Sequence, residues 1–258
     1  EILRIGKLLG IGDNVADIFC DREEMYPGGN AVNVSVYGKL QGVETAYLGY
    51  FGNDSIGNWN REVLKKIGVD QERCRIMKGE SGYAKVKVEH GERIFIGTNK
   101  GGALKEQSWE LLEEDYEYIS RFKVVHTSLN SYLESKLKDI KKYTSILSFD
   151  FSNRFTDKYL EEICQYSDIA CLSCGHLTKM ETEILMKRVY WMGAKMIIAT
   201  MGDRGAGIFY DNQIFWGEAV LANVKDTMGA GDAYIASLLT SVFCKGNRNL
   251  EDELTGII

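Results

Sequence analysis

The sequence predicts an α/β fold: a doubly wound, mainly parallel sheet with helices on both faces. From Lys123 onward, short apolar segments typical of strands alternate with segments whose apolar residues have helical spacing. This alternation is typical of βαβ units, in which helices join parallel strands across the sheet. The chain has 258 residues, of which 45% are hydrophobic and 26% charged, which is enough for one large globular domain.

The first segment of the chain, residues 3–11, is apolar at most positions and is predicted to form a buried strand. We expect it to end in a loop that carries Asp13 and Asp17. Short carboxylates just after a strand can hold sugar hydroxyls in the crevice of an α/β sheet, and a solvated turn is the alternative. A dinucleotide-binding fingerprint is excluded, because Val15 occupies the place of its third glycine.

The next elements follow in order up to residue 97. A Gly-Gly turn at 28–29 precedes a helix, residues 45–51 form a strand, and residues 56–67 form an amphipathic helix. Residues 82–97 alternate in polarity around a turn, which predicts a hairpin with one apolar side. Arg93 on this hairpin either contacts a substrate or is a solvated charge on an edge strand.

The second half carries the βαβ alternation. Strands are predicted at residues 124–126, 146–150, 169–172 and 196–200. Helices are predicted near residues 107–119, 132–142, 157–165 and 180–192. The strand ending at Thr200 leads into a glycine-containing turn, which either approaches a bound group closely or only joins two strands.

A small-residue turn near the C-terminus opens an apolar helix over residues 234–243. The unpaired N–H groups of Gly229, Ala230 and Gly231, together with the helix dipole, suit an anion. Asp232 lies in the first turn, where the dipole favours its ionised form. A carboxylate beside an anion site can serve as the base in phosphoryl transfer to a hydroxyl; an ordinary helix N-cap is the alternative.

The string Asp-Thr-Met-Gly-Ala-Gly-Asp at 226–232 resembles the C-terminal signature of the ribokinase-like (PfkB) family of sugar and nucleoside kinases. By this resemblance Asp232 is the catalytic base, and the backbone of Gly229, Ala230 and Gly231 forms the anion hole. Other matching stretches imply further site residues. Those implied to border the sugar are Asp13, Asp17, Gly28, Gly29, Asn30, Asn33 and Arg93, and those implied to border the nucleotide are Thr200, Gly202, Gly205, Asp226 and Thr227.

The chain departs from the family pattern at three places. Asn30 stands where many members have lysine, and Ser152 stands in the Asn position of an Asp-x-Asn-x-Arg stretch that begins at Asp150. The family's Asn-x-x-Glu, whose Glu helps to organise magnesium, has no match, so the metal-organising residue is unknown. Members normally continue beyond the signature helix, so we expect the tail that closes over adenine to be absent from this chain.

The resemblance implies one kinase domain over residues 1–258. It also implies transfer of the γ-phosphoryl group of ATP to a primary hydroxyl, with Mg²⁺ bound to the phosphates. A monovalent cation is a further candidate cofactor. The strands of 82–99 are expected to form most of a β lid over the sugar, which could be shared in a homodimer. Four stretches together resemble the fructoselysine 6-kinases. Fructokinase-like and nucleoside kinases of the same family are the alternatives. A non-catalytic sugar-binding or regulatory protein on the same fold is an alternative of another class.

Composition and charge exclude several other classes. The net charge is −6, and lysine and arginine are scattered, so neither nucleic acid nor an anionic membrane is expected as a partner. The sequence shows neither a long apolar run nor a charged-then-apolar leader, from which we expect a cytoplasmic protein. Cys171 and Cys174 form a lone C-x-x-C, an incomplete zinc site that we interpret as buried reduced thiols.

Overall fold

The computed structural model of the protein describes residues 6–89, 92–220 and 228–245. The strands are β1 (Leu8–Ile11), β2 (Val15–Phe19), β3 (Glu24–Gly28), β4 (Thr45–Leu48), β5 (Tyr50–Gly52), β6 (Arg75–Met77), β7 (Gly82–Glu89), β8 (Glu92–Thr98), β9 (Val124–Ser128), β10 (Ile146–Asp150), β11 (Ile169–Ser173), β12 (Met196–Thr200), β13 (Ala206–Tyr210) and β14 (Gln213–Gly217). The α-helices are α1 (Asn30–Leu40), α2 (Ser55–Ile67), α3 (Ala103–Glu106), α4 (Glu113–Ile119), α5 (Leu137–Tyr143), α6 (Asp157–Cys164), α7 (Lys179–Trp191) and α8 (Ala230–Leu238). Within these ranges no helix combines the length and the apolar character that a membrane span requires.

A central sheet of eight strands has the order β14-β13-β12-β11-β10-β9-β1-β4. The strands from β12 to β4 run parallel, and β13 and β14 are antiparallel additions at one edge. The predicted doubly wound, mainly parallel sheet is therefore confirmed. The chain starts in β1, moves outward to β4 and later returns to β9 on the other side, so the strand order reverses at β1. Such a switch point opens a crevice at the carboxyl ends of the strands.

Apolar side chains cover both faces of this sheet, because successive residues of a strand point to opposite sides. Leu8 belongs to a buried cluster with Val34 of α1 and Ile235 of α8. Its neighbour Leu9 belongs to a second cluster, built with residues of α4, α5, α6 and α7. Helices α1 and α8 thus share one face, and their N-termini both reach the carboxyl edge of the sheet.

The predicted helix over 107–119 is wrong in its first half, since α4 begins only at Glu113. Trp109 is buried at 5% exposure, and its indole N–H donates to the Ser131 carbonyl at 2.6 Å. The residues before Glu113 are therefore irregular in structure, and their apolar side chains are nevertheless buried. Helical spacing of apolar residues alone does not distinguish such a segment from a helix. The Asp115 carboxylate accepts from the Leu112 N–H at 2.8 Å and marks the start of α4.

A second, smaller sheet has the order β3-β2-β7-β8. The predicted hairpin is confirmed as the antiparallel pair β7 and β8. Strands β2 and β3 were not predicted, because the residues after β1 were expected in a loop. Asp17 lies within β2 and pairs with Ala84 of β7. Half of this small sheet therefore comes from residues 15–28, outside the 82–99 segment. Its action as a lid or a dimer contact stays a prediction.

Candidate active site

A cleft of about 830 Å³ lies at the carboxyl ends of β1, β9, β10, β11 and β12, and β2, β7 and β8 of the small sheet contribute to its wall. Because the carboxyl ends of parallel strands meet at one edge, residues far apart in the chain converge there. The lining contains these residues predicted from the sequence: Asp13, Asp17, Gly29, Asn30, Asn33, Thr200, Gly229, Gly231 and Asp232. The two motifs at opposite ends of the chain thus form one site.

Other predicted residues lie elsewhere. Four of the predicted site residues that the structure describes lie outside the cleft lining: Gly28, Ala230, Gly202 and Gly205. Gly205 lies in the connection from β12 to β13, against the backbone carbonyl of Gly217. The side chain of Arg93 and the whole of Asp226 and Thr227 lie outside the part of the chain that the structure describes. Their proposed contacts with sugar or nucleotide stay predictions.

The N-terminus of α8 forms one wall of the cleft. Gly229 precedes the helix with φ of 73°, and a Cβ there would lie 2.8 Å from the Tyr37 hydroxyl, so this position favours glycine. The helix begins at Ala230, and the N–H groups of its first turn have no intrahelical carbonyl to bind. This backbone can therefore hold an anion at the edge of the cleft, as a phosphoryl oxygen requires.

Two asparagines of α1 hold the Asp232 carboxylate. Asn33 Nδ2 donates to Oδ2 at 2.7 Å, and Asn30 Nδ2 donates to Oδ1 at 2.8 Å. Burial raises the pKa of Asp232, and the two amides and the neighbouring Asp13 modify it in opposite directions. The expectation that the helix dipole favours the ionised form of Asp232 stays a prediction, and burial acts against it. Each oxygen, held by one amide, keeps a lone pair for a substrate hydroxyl.

Asp13 holds the N-terminus of α1 from outside the helix. Its Oδ2 accepts from the Asn30 N–H at 2.8 Å, and its Oδ1 accepts from the Ala31 N–H at 3.2 Å. The hydroxyls of Ser128 and Ser131 each donate to Oδ1 at 3.1 Å. Asp13 therefore takes the place of an N-cap side chain, since the N-cap residue of α1 is a glycine. The helix that carries both asparagines is fixed to β1 through this carboxylate.

Asp150, at the end of β10, is the second carboxylate on the Asn30 amide. Asn30 Nδ2 donates to Asp150 Oδ2 at 2.8 Å, and the Ser152 N–H donates to Oδ1 at 2.7 Å. Burial, together with the charges of Asp232 and Asp13, raises the pKa of Asp150 to about 7. Ser152 has φ of 52°, a left-handed conformation that Asn adopts more readily, which explains why the resembled pattern has Asn there. In the sequence, only the incomplete Asp-x-Asn-x-Arg stretch indicated that Asp150 belongs to the site.

We expect the substitution Asp150→Asn to stabilise the protein by about 2–4 kcal/mol at pH 8. A buried acid with a raised pKa makes the native state bind its proton more tightly than the unfolded state. The stability that it contributes is therefore greatest near pH 4 and falls as the pH rises to about 7. The neutral amide removes this fall, and the cost is smaller than the gain although its NH₂ group must face either the Asn30 amide or the Ser152 N–H. Thermal unfolding of both proteins from pH 4 to 8 measures the difference; parallel curves would contradict the raised pKa.

The sequence analysis missed several residues that line the cleft after β9 and near the small sheet, namely Lys100, Ser128, Asn130, Tyr132 and Arg154. Lys100, Tyr132 and Ser152 all have positive φ although none is glycine. Strained backbone of this kind concentrates at functional sites. The signal available in the sequence was their position just after predicted strands, since strand ends supply the residues of α/β sites.

The cysteines of the C-x-x-C lie in the core of the part of the chain that the structure describes. Cys171 and Cys174 are buried in the core, and burial raises the pKa of Cys174 to about 11. Among residues 6–89, 92–220 and 228–245, no three His, Cys, Asp or Glu side chains are grouped as metal ligands.

Comparison with known proteins identifies the family. The model of the pfkB family carbohydrate kinases matches residues 10–252. The chain is 39% identical to the fructosamine kinase FrlD of Bacillus subtilis over 239 residues, covering 92% of this chain and 84% of the relative. It is 30% identical to the fructoselysine 6-kinase of Escherichia coli over 236 residues, covering 90% of this chain and 87% of the relative.

The fold agrees with this assignment. The structure of Arabidopsis thaliana ribokinase complexed with ribose and ATP superposes with a TM-score of 0.82 at 19% identity, covering 98% of this chain and 89% of that one. This likeness supports the ribokinase-like fold, and the sequence matches support the enzyme class. The chain therefore belongs to the pfkB family of carbohydrate kinases and is a sugar kinase.

Proposed function

We propose that this kinase transfers the γ-phosphoryl group of ATP to the 6-hydroxyl of fructoselysine, an amine-linked fructose. The single observation that carries the reaction is the placement of Asp232. Its carboxylate is held by two amides in the first turn of α8, and Gly229 and Gly231 at the start of this helix line the same cleft. The identity of 39% to a fructosamine kinase supports the choice of sugar.

In the proposed reaction Asp232 accepts the proton of the sugar hydroxyl. As this O–H bond breaks, the hydroxyl oxygen forms a bond to the γ-phosphorus, and the bond from that phosphorus to the bridging oxygen breaks to release ADP. The backbone N–H groups at the start of α8 take the charge that develops on the transferred phosphoryl oxygens. Asn30 and Asn33 orient the base, so that one lone pair of the carboxylate faces the hydroxyl.

The residues present fit a nucleotide at the other end of the cleft. The α8 N-terminus would hold the phosphates, and Ser173 and Thr200, at the ends of β11 and β12, line the cleft beyond it. Mg²⁺ bound to the phosphates would neutralise their charge during transfer. The absence of a ligand cluster among the described residues fits an ion held mostly by ATP and water.

The charges in the sugar end of the cleft favour an amine-linked sugar over a neutral one. Asp13, Asp17, Asp150 and Asp232 all line the cleft. Fructoselysine carries a secondary ammonium group beside the sugar ring, and a cation there lowers the repulsion among these carboxylates. Lys100 and Arg154 line the same cleft and are exposed, so they can attract the α-carboxylate at the far end of the lysine.

The test is ADP release by the purified protein with Mg·ATP and each of fructoselysine, fructose, ribose, 2-keto-3-deoxygluconate and adenosine. We expect the highest kcat/KM with fructoselysine and a product phosphorylated at O6, identified by phosphorus NMR. The control is ADP release without sugar, which measures wasteful hydrolysis. Faster turnover of fructose or ribose would contradict the substrate but keep the reaction. Failure to phosphorylate any of the sugars that bind would contradict the proposed function.

A further inference from the structure

A chain of buried polar side chains runs from the catalytic carboxylate into the sheet, beyond any atom that the proposed reaction touches. His126 lies in β9 with 0% of its surface exposed. Its Nε2 is 2.8 Å from Asn30 Oδ1, and its Nδ1 is 2.9 Å from Ser148 Oγ in β10. A buried histidine costs free energy of folding unless both ring nitrogens are hydrogen-bonded. Both are bonded here, and one of the partners is the amide that contacts Asp232.

The direction of each hydrogen bond in this chain follows from the two carboxylates. Asn30 Nδ2 lies 2.8 Å from Asp150 Oδ2 and 2.8 Å from Asp232 Oδ1, and Asp232 in the ionised form that acts as the base can only accept. Nδ2 is therefore the donor end of the amide, and Oδ1 faces His126 as an acceptor. The ring must then donate from Nε2, which leaves Nδ1 to accept from the Ser148 hydroxyl. Burial lowers the pKa of His126 to about 3, so the ring is neutral and this single tautomer is sufficient.

We propose that His126 is a positioning residue that holds Asp232 in its reactive orientation through the amide of Asn30. This inference rests on the proposed role of Asp232 as the base. A flip of the Asn30 amide would turn its oxygen towards two carboxylates and its NH₂ group towards the Nε2–H of His126. Both contacts are repulsive, so the histidine tautomer fixes the orientation of the Asn30 amide. The amide in turn fixes the position of one oxygen of Asp232. Ser148 completes the chain, because its hydroxyl donates to the Nδ1 atom that this tautomer leaves unprotonated.

Loss of this arrangement changes the ionisation of Asp232 as well as its orientation. Among the residues that the structure describes, the groups that face this carboxylate are Asn30, Asn33 and Tyr37 of α1, Asp13 after β1, Asp150 of β10 and Cys171 of β11. The Asn30 amide is one of two donors that lower the pKa of Asp232. When this donor is lost, the pKa of Asp232 rises, and the acid limb of the kcat/KM profile moves to higher pH. That limb belongs to the coupled pair of Asp150 and Asp232, not to either alone.

The test compares His126→Met with His126→Gln. The methionine cannot donate to Asn30, so we expect kcat to fall between about 10- and 100-fold, with the acid limb moved upward and the KM for ATP little changed. The glutamine can bring its Nε2 to the place of the ring Nε2 and donate to Asn30 Oδ1. It should restore most of kcat and the position of the acid limb.

Ser148→Ala keeps the experiment decisive if the histidine variants do not fold. This variant removes the hydroxyl that donates to Nδ1 and leaves the ring held only by Asn30, so we expect a smaller fall in kcat and a smaller upward shift of the acid limb. Wild-type kcat and pH profile in folded His126→Met or Ser148→Ala, while Asp232→Asn is inactive, would overturn the positioning role alone. Equal losses in the Met and Gln variants without a shift of the limb would also overturn it. Full activity of Asp232→Asn would instead contradict the proposed function.

Discussion

Replacing Asp232 by asparagine is expected to lower kcat by about 10²- to 10⁴-fold, the range that a general base contributes. The amide has nearly the same shape and can still accept from Asn30 or Asn33, but it cannot take the proton of the sugar hydroxyl. Because binding does not require that proton transfer, the dissociation constant of the sugar should change little. A coupled assay of ADP release gives kcat, and titration calorimetry with fructoselysine gives the affinity.

The matched control for this substitution is Asp211→Asn in the exposed turn between β13 and β14. Asp211 has φ of 45°, a conformation that asparagine also tolerates, so this variant changes one charge without disturbing the backbone. It should keep the wild-type kcat. If Asp232→Asn keeps its turnover as well, another group must accept the hydroxyl proton. A parallel loss of turnover and sugar affinity would instead give Asp232 a role in binding.

The substitution Asp13→Asn is expected to destabilise the protein by about 2–4 kcal/mol and to lower kcat/KM at least tenfold. Asp13 accepts four hydrogen bonds, two of them from the N-terminal backbone of α1. An NH₂ group in place of either oxygen would face buried donors. Because α1 carries Asn30 and Asn33, a displaced N-terminus moves both amides away from Asp232. Denaturant unfolding measures the stability, and steady-state kinetics at a temperature where the variant is folded measures activity.

Asp54→Asn is the control for the structural part of that effect. Asp54 is also an acidic cap at a helix start, where it accepts from the N–H groups of Gly57 and Ser81 at 2.8 Å each. Its helix, α2, carries no residue of the cleft lining. This variant should lose stability and keep the kinetics of the folded enzyme. If Asp13→Asn matches it in both respects, the proposed link from Asp13 to Asp232 is wrong.

Patterns of apolar residues along the chain were sufficient to predict most strands of the central sheet. The apolar segments that predicted β9, β10, β11 and β12 are buried strands, and each lies within one or two residues of its expected position. Such strands are covered on both faces, so they read as continuous apolar runs. The error at residues 107–112 had the opposite cause. Trp109 is buried by contacts with the loop after β9, and helical spacing cannot distinguish that from burial on a helix.

The small sheet was only partly predicted. Its hairpin of β2 and β3 is local but was missed, because the residues after β1 were expected in a loop, and its central pairing joins strands that are distant in the chain. β2 pairs with β7 in parallel, and no short turn between them marks the pairing in the sequence. The hairpin of β7 and β8 was recognised because its two strands are adjacent. As a result Asp17 was expected in a loop and lies on a strand instead, although it reaches the expected cleft.

The sequence by itself determined the family, the parallel sheet and the two motifs that form the cleft. These depend on residues that are neighbours in the chain: periodic apolar positions, a small-residue turn and an acid in the first turn of a helix. Only the tertiary structure decided how the Asp232 carboxylate is held. Asn30 bridges Asp150 and Asp232, which are 120 and 202 residues away, and His126 orients that bridge from within the sheet. Such contacts arise from the packing of α1 and α8 on the same strands, which no local pattern encodes.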